Sequence, residues 1–383
     1  MADTSLCRHI VVAMDSLKGC LSAEEATRAI AQAITVADEN IHVTTIPLSD
    51  GGEGMMHALV KANNGDYVTM QAHDALMRPI SATYGLSQDH RTAYIETAAT
   101  CGLSLLSERE RNPLLTTTYG LGEQIRDCLS RGCKKIILGL GGSATNDCGL
   151  GLLQALGCSI HTTSREKSVC SGKDLAKVVS IDTSPLHSLF QEVELLTACD
   201  VKNELYGPRG AAYIFAPQKG ANQAMVAELD KGMKHITSLT RGEKSAARKG
   251  AGAAGGLGFC ALHFLHGKLC SGNELVLQAT RFHDIIQSSS LIITGEGKSD
   301  RQTLMGKLPF GVLVAARKQH IPVVLMAGEV QELADLQRAG FYKLININEG
   351  FGTDRDYNMQ PIVAYNRLQT ATRNLLRQLC LAL

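Results

Sequence analysis

Residues 10 to 34 read IVVAMDSLKGCLSAEEATRAIAQAI. The first five are apolar and rich in β-branched side chains, without the polar alternation of a strand that has one wet face, so they read as a parallel strand buried on both sides. Asp15 ends the run, and Ser16-Leu17-Lys18-Gly19 forms a loop. Ser22 and Glu25 stand at capping-box spacing, and Ala26, Ile30, Ala33 and Ile34 recur at helical spacing. Strand, loop and helix in that order are the repeating unit of an open parallel sheet.

The same grammar recurs. His42 to Leu48 reads as a second strand, running into Asp50-Gly51-Gly52-Glu53-Gly54 and a helix from Met55. Near the C-terminus LIIT (291–294) leads into Gly295-Glu296-Gly297 and a helix around Val312 to Gln319. PVVLMAG (322–328) and KLININ (343–348) are each followed by a helix. Two such units at the front and three at the back give five strands, the number in a flavodoxin-like doubly wound sheet. The expected architecture is therefore two α/β domains. One is a flavodoxin-like doubly wound parallel sheet formed by both chain ends, residues 1–75 and 286–383. The other, residues 76–285, is an inserted mixed α/β domain carrying the glycine-rich loops; it opens on strand-like text from Pro79 to Glu96 and includes VELLTACD, ending at Asp200.

A chain of 383 residues exceeds the size at which one core usually stops growing, which agrees with two domains. Lysine plus arginine (38) nearly cancels aspartate plus glutamate (37), so the basic footprint of a nucleic-acid or anionic-membrane binder is missing. The polar start MADTSLCRH has no secretory pattern, and no run approaches a bilayer span of roughly 20 apolar residues. The twelve cysteines include no C-x-x-C pair and read as reduced, mostly buried thiols rather than a zinc site. These features point to a cytoplasmic protein with a small-molecule partner, with assembly as a homodimer left open.

Five strand ends terminate in polar or acidic loops: Asp15 to Lys18, Asp50 to Glu53, Gly141 to Asp147, Asp200 to Asn203 and Glu296 to Asp300. Ligands of open α/β sheets bind outside the carboxyl ends of strands, and five such loops exceed what helix capping alone requires. Gly139-Leu140-Gly141-Gly142-Ser143-Ala144 formally satisfies G-x-G-x-x-G/A after a strand, but no acid follows at the spacing a ribose contact needs, and Asp147 would bring negative charge toward a pyrophosphate. Gly250 to Gly256 fits the same pattern without a preceding strand, which shows how little the pattern discriminates. A glycine-rich strand-to-helix turn nevertheless exposes backbone N–H groups to an anion. Phosphoryl transfer needs cations on phosphate, carboxylates for Mg²⁺ and a carboxylate to accept the hydroxyl proton. Lys18, Arg78, Arg209, Lys219 and Lys307 are the cations in loop text, and Lys18 stands foremost because it lies between a strand end and a capped helix.

Together the segments Asp15 to Gly19, Asp50 to Gly54, RNPLLTTTYG (111–120), GGSATND (141–147), ACDV (198–201), GPRGA (207–211), PQKGA (217–221), GAGAAGGLG (250–258) and TGEG (294–297) resemble the type I glycerate kinase family of bacterial D-glycerate 2-kinases, in order and over nearly the whole chain. The departures lie at Met14, Leu17, Cys148, Glu204 and Arg301, with Cys148 and Arg301 standing for glycines; the family's charged positions and its other glycines are kept. The resemblance implies an ATP- and Mg²⁺-dependent kinase that phosphorylates D-glycerate, preferentially at the 2-hydroxyl, in a cleft between two α/β domains.

With that reading, the glycerate carboxylate is expected at Arg78 or at N–H groups of the Ser16 to Gly19 loop, with Glu53 among the substrate-binding residues. Lys18 and the turn Gly141, Gly142, Ser143, Ala144 and Thr145, together with Gly252, Gly255 and Gly256, are expected to bind ATP. Asp200 or Glu296 is expected to hold Mg²⁺, and Asp50 or Asp147 to take the hydroxyl proton; Lys18 and Asp200 count as catalytic as well. A kinase of the galactokinase and homoserine kinase type would explain GLGGSAT but not the motifs at Asp50 and Glu296. A non-catalytic sugar-acid or nucleotide sensor on a kinase scaffold is the alternative from another class.

Overall fold

The computed structural model describes residues 9–49, 54–164, 168–351 and 355–381. Its strands are β1 (His9–Met14), β2 (His42–Thr45), β3 (Asp66–His73), β4 (Pro79–Leu86), β5 (Thr92–Glu96), β6 (Lys135–Gly139), β7 (Ser159–Thr162), β8 (Val178–Asp182), β9 (Glu194–Ala198), β10 (Lys268–Cys270), β11 (Leu291–Ser299), β12 (Val323–Val330) and β13 (Lys343–Asn346). The chain divides into two compact units, Met1–Asp50 with Asn273–Leu383, and Gly51–Gly272.

The first unit holds a five-stranded sheet in the order β13-β12-β11-β1-β2, with every pair parallel. Renumbered within the sheet this is 2-1-3-4-5, the flavodoxin-like doubly wound order. The sequence dictates it through burial. Ile10, Val12 and Met14 join a core with Leu291, Ile293, Val324 and Met326, covered by Ile30 and Ile34 of the helix Ala23–Ala37 and by Leu368 and Leu375 of the helix Pro361–Leu381. The alternate residues Val11, Ala13 and Ile292 are equally buried, and the helix Leu308–Arg317 packs on β11 and β12. A strand covered on both faces has no reason to alternate, which is why IVVAM reads as a continuous apolar run. Ser22 caps the first helix as its spacing predicts: its hydroxyl accepts from the Glu25 N–H at 3.2 Å, and the Glu25 carboxylate accepts from the Ser22 N–H at 2.9 Å.

The second unit is built on a six-stranded mixed sheet in the order β10-β9-β6-β5-β4-β3. The β3-β4-β5 part is antiparallel, and β5, β6, β9 and β10 run parallel. The hairpin β7-β8 stands apart from it. The boundaries depart from the expected 75/76 and 285/286. Residues 66–73 hydrogen-bond along their length to β4, which places them in the second unit, and the segment from Asn273 to residue 285 belongs to the first. Among the described residues no helix is long and apolar enough to cross a membrane. Among the described residues ten cysteines are free thiols, seven of them buried, as their scatter predicts.

Gly295 marks where β11 presses on its neighbours. A Cβ there would lie 1.8 Å from the Met326 carbonyl oxygen and 2.7 Å from Met14 Cε, with no flexible tip to move aside on the Met326 side. Gly295→Ala is expected to cost about 3 kcal/mol, read as a fall in the urea midpoint. A midpoint equal to the parent's would show that the strands can part at no cost.

Candidate functional site

From β1 the chain moves outward to β2 on one side, and from β11 to β12 and β13 on the other, so the order reverses between β1 and β11. The loops beyond a reversal of this kind diverge and leave a crevice at the carboxyl ends of the strands. A cavity of about 660 Å³ lies there, lined by Asp15 to Lys18 beyond β1, Glu296 to Lys298 and Lys307 from β11 onward, Gly328 and Glu329 of β12, and Asn346 to Asn348 beyond β13.

The first two loops are locked together. The Leu17 N–H donates to the Leu21 carbonyl, the Ser16 N–H donates to Asp15 Oδ1 at 2.6 Å, and Gly19 turns the chain at φ +74°. A Cβ on Gly297 would come within 3.4 Å of the Lys18 nitrogen, so the β1 loop and β11 sit in backbone contact. Glu296 is buried. Its Oε1 accepts from the hydroxyls of Ser299 at 3.1 Å and Thr303 at 2.6 Å, and its Oε2 accepts from Lys307 Nζ at 3.1 Å. Lys298 pairs with Glu329 at 3.5 Å. Glu296, expected to hold Mg²⁺, thus pairs with Lys307 and holds it at the cavity wall.

In the second unit β6 ends in the turn Gly141 to Asp147. Gly141 and Gly142 are exposed, and Gly142 has φ +72°. The N–H of Ala144 is spent on the Cys101 carbonyl at 2.7 Å, so Ala144 offers no amide to a phosphate as expected of it. Beneath the turn lies Lys219, 2% exposed, whose Nζ donates to Ser143 Oγ at 2.9 Å and to the Thr145 carbonyl at 2.8 Å. Burial pulls this lysine down to about 7 and the nearby charge of Asp147 pulls it back up. Thr145 Oγ1 and both side-chain polar atoms of Asn146 are buried without a protein partner.

Asp147 is fully buried. Its Oδ2 accepts from the N–H and hydroxyl of Thr118, both at 2.8 Å, and from the Gly151 N–H at 3.2 Å, while Oδ1 accepts from the Gly149 N–H at 3.0 Å. Desolvation outweighs those donors and raises its pKa. A carboxylate with no exposed surface does not meet a substrate hydroxyl; Asp147 ties the turn to residues 118 and 149–151. The glycines of the Gly250 to Gly256 segment are likewise spent on protein. A Cβ on Gly255 would lie 1.9 Å from the Thr145 carbonyl oxygen, one on Gly256 3.0 Å from Cys148 Cα, and one on Gly252 2.3 Å from the Glu204 carbonyl oxygen. They let one loop press against another, a packing requirement that by itself accounts for the missing side chains.

Arg78, expected as a carboxylate clamp, already has protein partners. Its Nε donates to Asp74 at 2.5 Å, Nη1 to Glu110 at 2.6 Å and Nη2 to the Leu105 carbonyl at 3.2 Å. Asp200 is exposed beyond β9, with Oδ1 accepting from Ser271 Oγ at 3.2 Å and the Gly272 N–H at 3.0 Å. Asp50 and Glu53 lie outside the described residues. Ser16, Lys18 and Glu296 thus come together on one cavity. Ser143, Thr145 and Asp147 come together on Lys219, whose loop text carried no sign of burial. The strand-end rule applied to β12 and β13 would have singled out Glu329, Asn346 and Asn348, which the sequence reading missed; Lys298 lies in the Glu296 to Asp300 segment but was not counted among the cations.

Two substitutions test this assignment. Asp147→Ala leaves three N–H groups and a hydroxyl unpaired and is expected to cost about 3 kcal/mol of stability. Lys219, at about 7 when folded, lies below the 10.5 of an ordinary lysine, so between those values the unfolded chain holds a proton that the folded chain lacks. The parent's stability should therefore rise with pH across that window, and the burial penalty should be complete below it. Lys219→Met removes this slope, so the Tm difference should move in the parent's favour from about pH 7 to about pH 10. Parallel Tm profiles would show that Lys219 keeps its ordinary proton affinity.

The model of the Glycerate kinase family matches residues 10–379. Glycerate kinase of Bacillus subtilis (strain 168) is 42% identical over 324 residues, covering 84% of this chain and 85% of that one. Glycerate 2-kinase of Escherichia coli (strain K12) is 36% identical over 379 residues, 98% of each chain. Among solved structures, a putative glycerate kinase 2 from Salmonella typhimurium LT2 superposes with a TM-score of 0.87 at 35% identity, covering 98% of this chain and 99% of that one. With a family match along nearly its whole length and relatives 36% and 42% identical over most of the chain, this chain is an enzyme of the glycerate kinase family.

Proposed function

We propose that the protein transfers the terminal phosphoryl group of ATP to the 2-hydroxyl of D-glycerate, giving 2-phosphoglycerate. The observation that carries this reading is the cavity of a glycerate-kinase-family chain at its sheet's reversal point, where Lys18, Lys298 and Lys307 meet Asp15 and Glu296. Its volume is within the range of about 300–1,000 Å³ that nucleotide-sized ligands fill, and well above the needs of a three-carbon acid alone. The three lysines would bind phosphate oxygens, and the Lys18-Gly19 part of the loop, beyond the spent N–H groups of Ser16 and Leu17, the glycerate carboxylate.

Three carboxylates, Asp15, Glu296 and Glu329, offset the three lysines of the lining, so the wall alone does not balance a polyanionic nucleotide. A divalent cation does. Mg²⁺ needs only one or two protein carboxylates beside phosphate and water. Of the two carboxylates expected to hold it, Asp200 is exposed beyond β9, whereas Glu296 is paired with Lys307. When bound, the ion would neutralise charge on the phosphoryl oxygens. With Asp147 sealed off, the proton acceptor is assigned to Asp50. We assign the exposed Gly141-Gly142 turn, with Ser143 backed by Lys219, to the same reaction as a second anion-binding element.

The test is release of ADP with D-glycerate, L-glycerate, tartronate and homoserine, followed by phosphorus NMR of the product. A phosphate on the 2-position couples to one proton and gives a doublet; on the 3-position it couples to two and gives a triplet. A doublet with D-glycerate is expected. A triplet would move the chemistry to the 3-hydroxyl, and ATP binding without any turnover would favour a sensor. Asp50→Asn is expected to lower kcat about 100-fold or more as the loss of a general base; an unchanged kcat would remove Asp50 from the chemistry.

A further inference from the structure

The cavity has a second end that the phosphoryl-transfer reading leaves unused. Beyond β13 the chain turns through Asn346, Asn348 and Phe351. The Asn348 N–H donates to Asn346 Oδ1 at 3.0 Å, the Phe351 N–H donates to the Asn348 carbonyl at 3.2 Å, and Asn348 Nδ2 reaches back to the Gly328 carbonyl at 2.7 Å. Phe351 is 52% exposed and lines the cavity. Its ring is braced: the Arg367 guanidinium carbon lies 4.1 Å from the ring centroid. Arg367 is 7% exposed, and its Nη1 donates to Asn348 Oδ1 and, at 2.8 Å, to Asn358 Oδ1. One face of the ring is thus fixed by a buried cation while part of its surface stays open.

Met359, also in the lining, adds apolar surface and connects the two ends, since a Cβ on Gly19 would touch its Cε at 3.4 Å. The cavity is therefore polarised. By strand order the lysine-bearing β1 and β11 loops lie to one side of β12, and the segment beyond β13, with its held aromatic ring and the amides of Asn346 and Asn348, lies to the other. Glycerate carries neither a flat apolar surface nor a hydrogen-bonding edge long enough to use that second end. A nucleotide base has both: a π-face that stacks on an aromatic ring and an edge of donors and acceptors that amides satisfy.

We propose that this end of the cavity is the base subsite for a purine nucleotide, with the ring stacked on Phe351 and its edge read by Asn346 and Asn358. The proposal rests on the kinase reading for the identity of the nucleotide. Arg367 is a positioning residue that acts by holding Phe351, Asn348 and Asn358 in place.

The chain contains no tryptophan, so Phe351→Trp introduces a single emitting group at the proposed contact. Its emission should change saturably with ADP and stay constant with D-glycerate or with inorganic tripolyphosphate, which offers phosphates without a base. In steady state Phe351→Ala should raise KM for ATP about tenfold and KM for D-glycerate much less, the size expected for losing one base–aromatic stack. Three results would overturn the subsite: emission unmoved by ADP in a variant that still turns over ATP, an equal response to tripolyphosphate, or an unchanged KM for ATP in Phe351→Ala. Should the parent enzyme fail to phosphorylate any acid, the kinase reading falls, while an ADP-specific emission change would still support the base subsite.

Discussion

The pairing of β1 with β11 is the constraint on which the first unit depends. It joins segments 281 residues apart, with Ile10 beside Leu291 and Met14 beside Gly295, and the Thr294 hydroxyl donates to the Ala13 carbonyl at 2.7 Å. The sheet reverses its order at this pair, so the loops beyond it part and open the cavity. Closing so long a loop costs conformational entropy that grows only slowly with length. The insertion offsets part of that cost by folding around its own core, in which Leu121, Ile136, Leu152 and Phe259 are all buried. The β1–β11 contact must then be tight, and Gly295 supplies the closeness.

Strand text was legible wherever burial was two-sided. IVVAM, LIIT and PVVLMA leave little choice of secondary structure, and the acid or glycine after each marks where the backbone leaves the sheet. The domain boundary at β3 was not legible, because DYVTMQAH is half exposed and its partner β4 lies in text that any hairpin could supply. What fixes β3 is its register with β4, a relation between two segments that neither contains alone.

The site was legible at the level of loops and illegible at the level of side-chain roles. Lys18 and Glu296 follow from the strand-end rule, since topology alone brings them to the same crevice. Asp147, Gly255 and Lys219 show where the rule stops. An aspartate after a glycine-rich turn serves equally as a base facing solvent or as an acceptor for four buried donors, and only the surroundings decide. A glycine cluster looks the same whether a phosphate or another loop fills the space left by the absent Cβ. Lys219 carries the opposite lesson: a lysine between glutamine and glycine reads as solvated, yet tertiary packing buries it against Ser143 and Thr145.

The two units handle charge differently. In the second, Lys219 loses its water and its proton affinity falls with it. In the first, Lys307 keeps about a third of its side-chain surface and is neutralised by Glu296, which is itself 9% exposed in its side chain. An ion pair with one buried member is asymmetric. Removing Lys307 leaves Glu296 with two hydroxyl donors and an uncompensated charge, whereas removing Glu296 releases a lysine that can still reach water. A single Lys307→Met variant would therefore report the penalty of a stranded carboxylate together with the loss of a phosphate contact. Only a cycle that also contains Glu296→Gln and the double variant separates the two. Should the double variant restore stability but not turnover, the lysine is required for the reaction itself and Glu296 serves to place it.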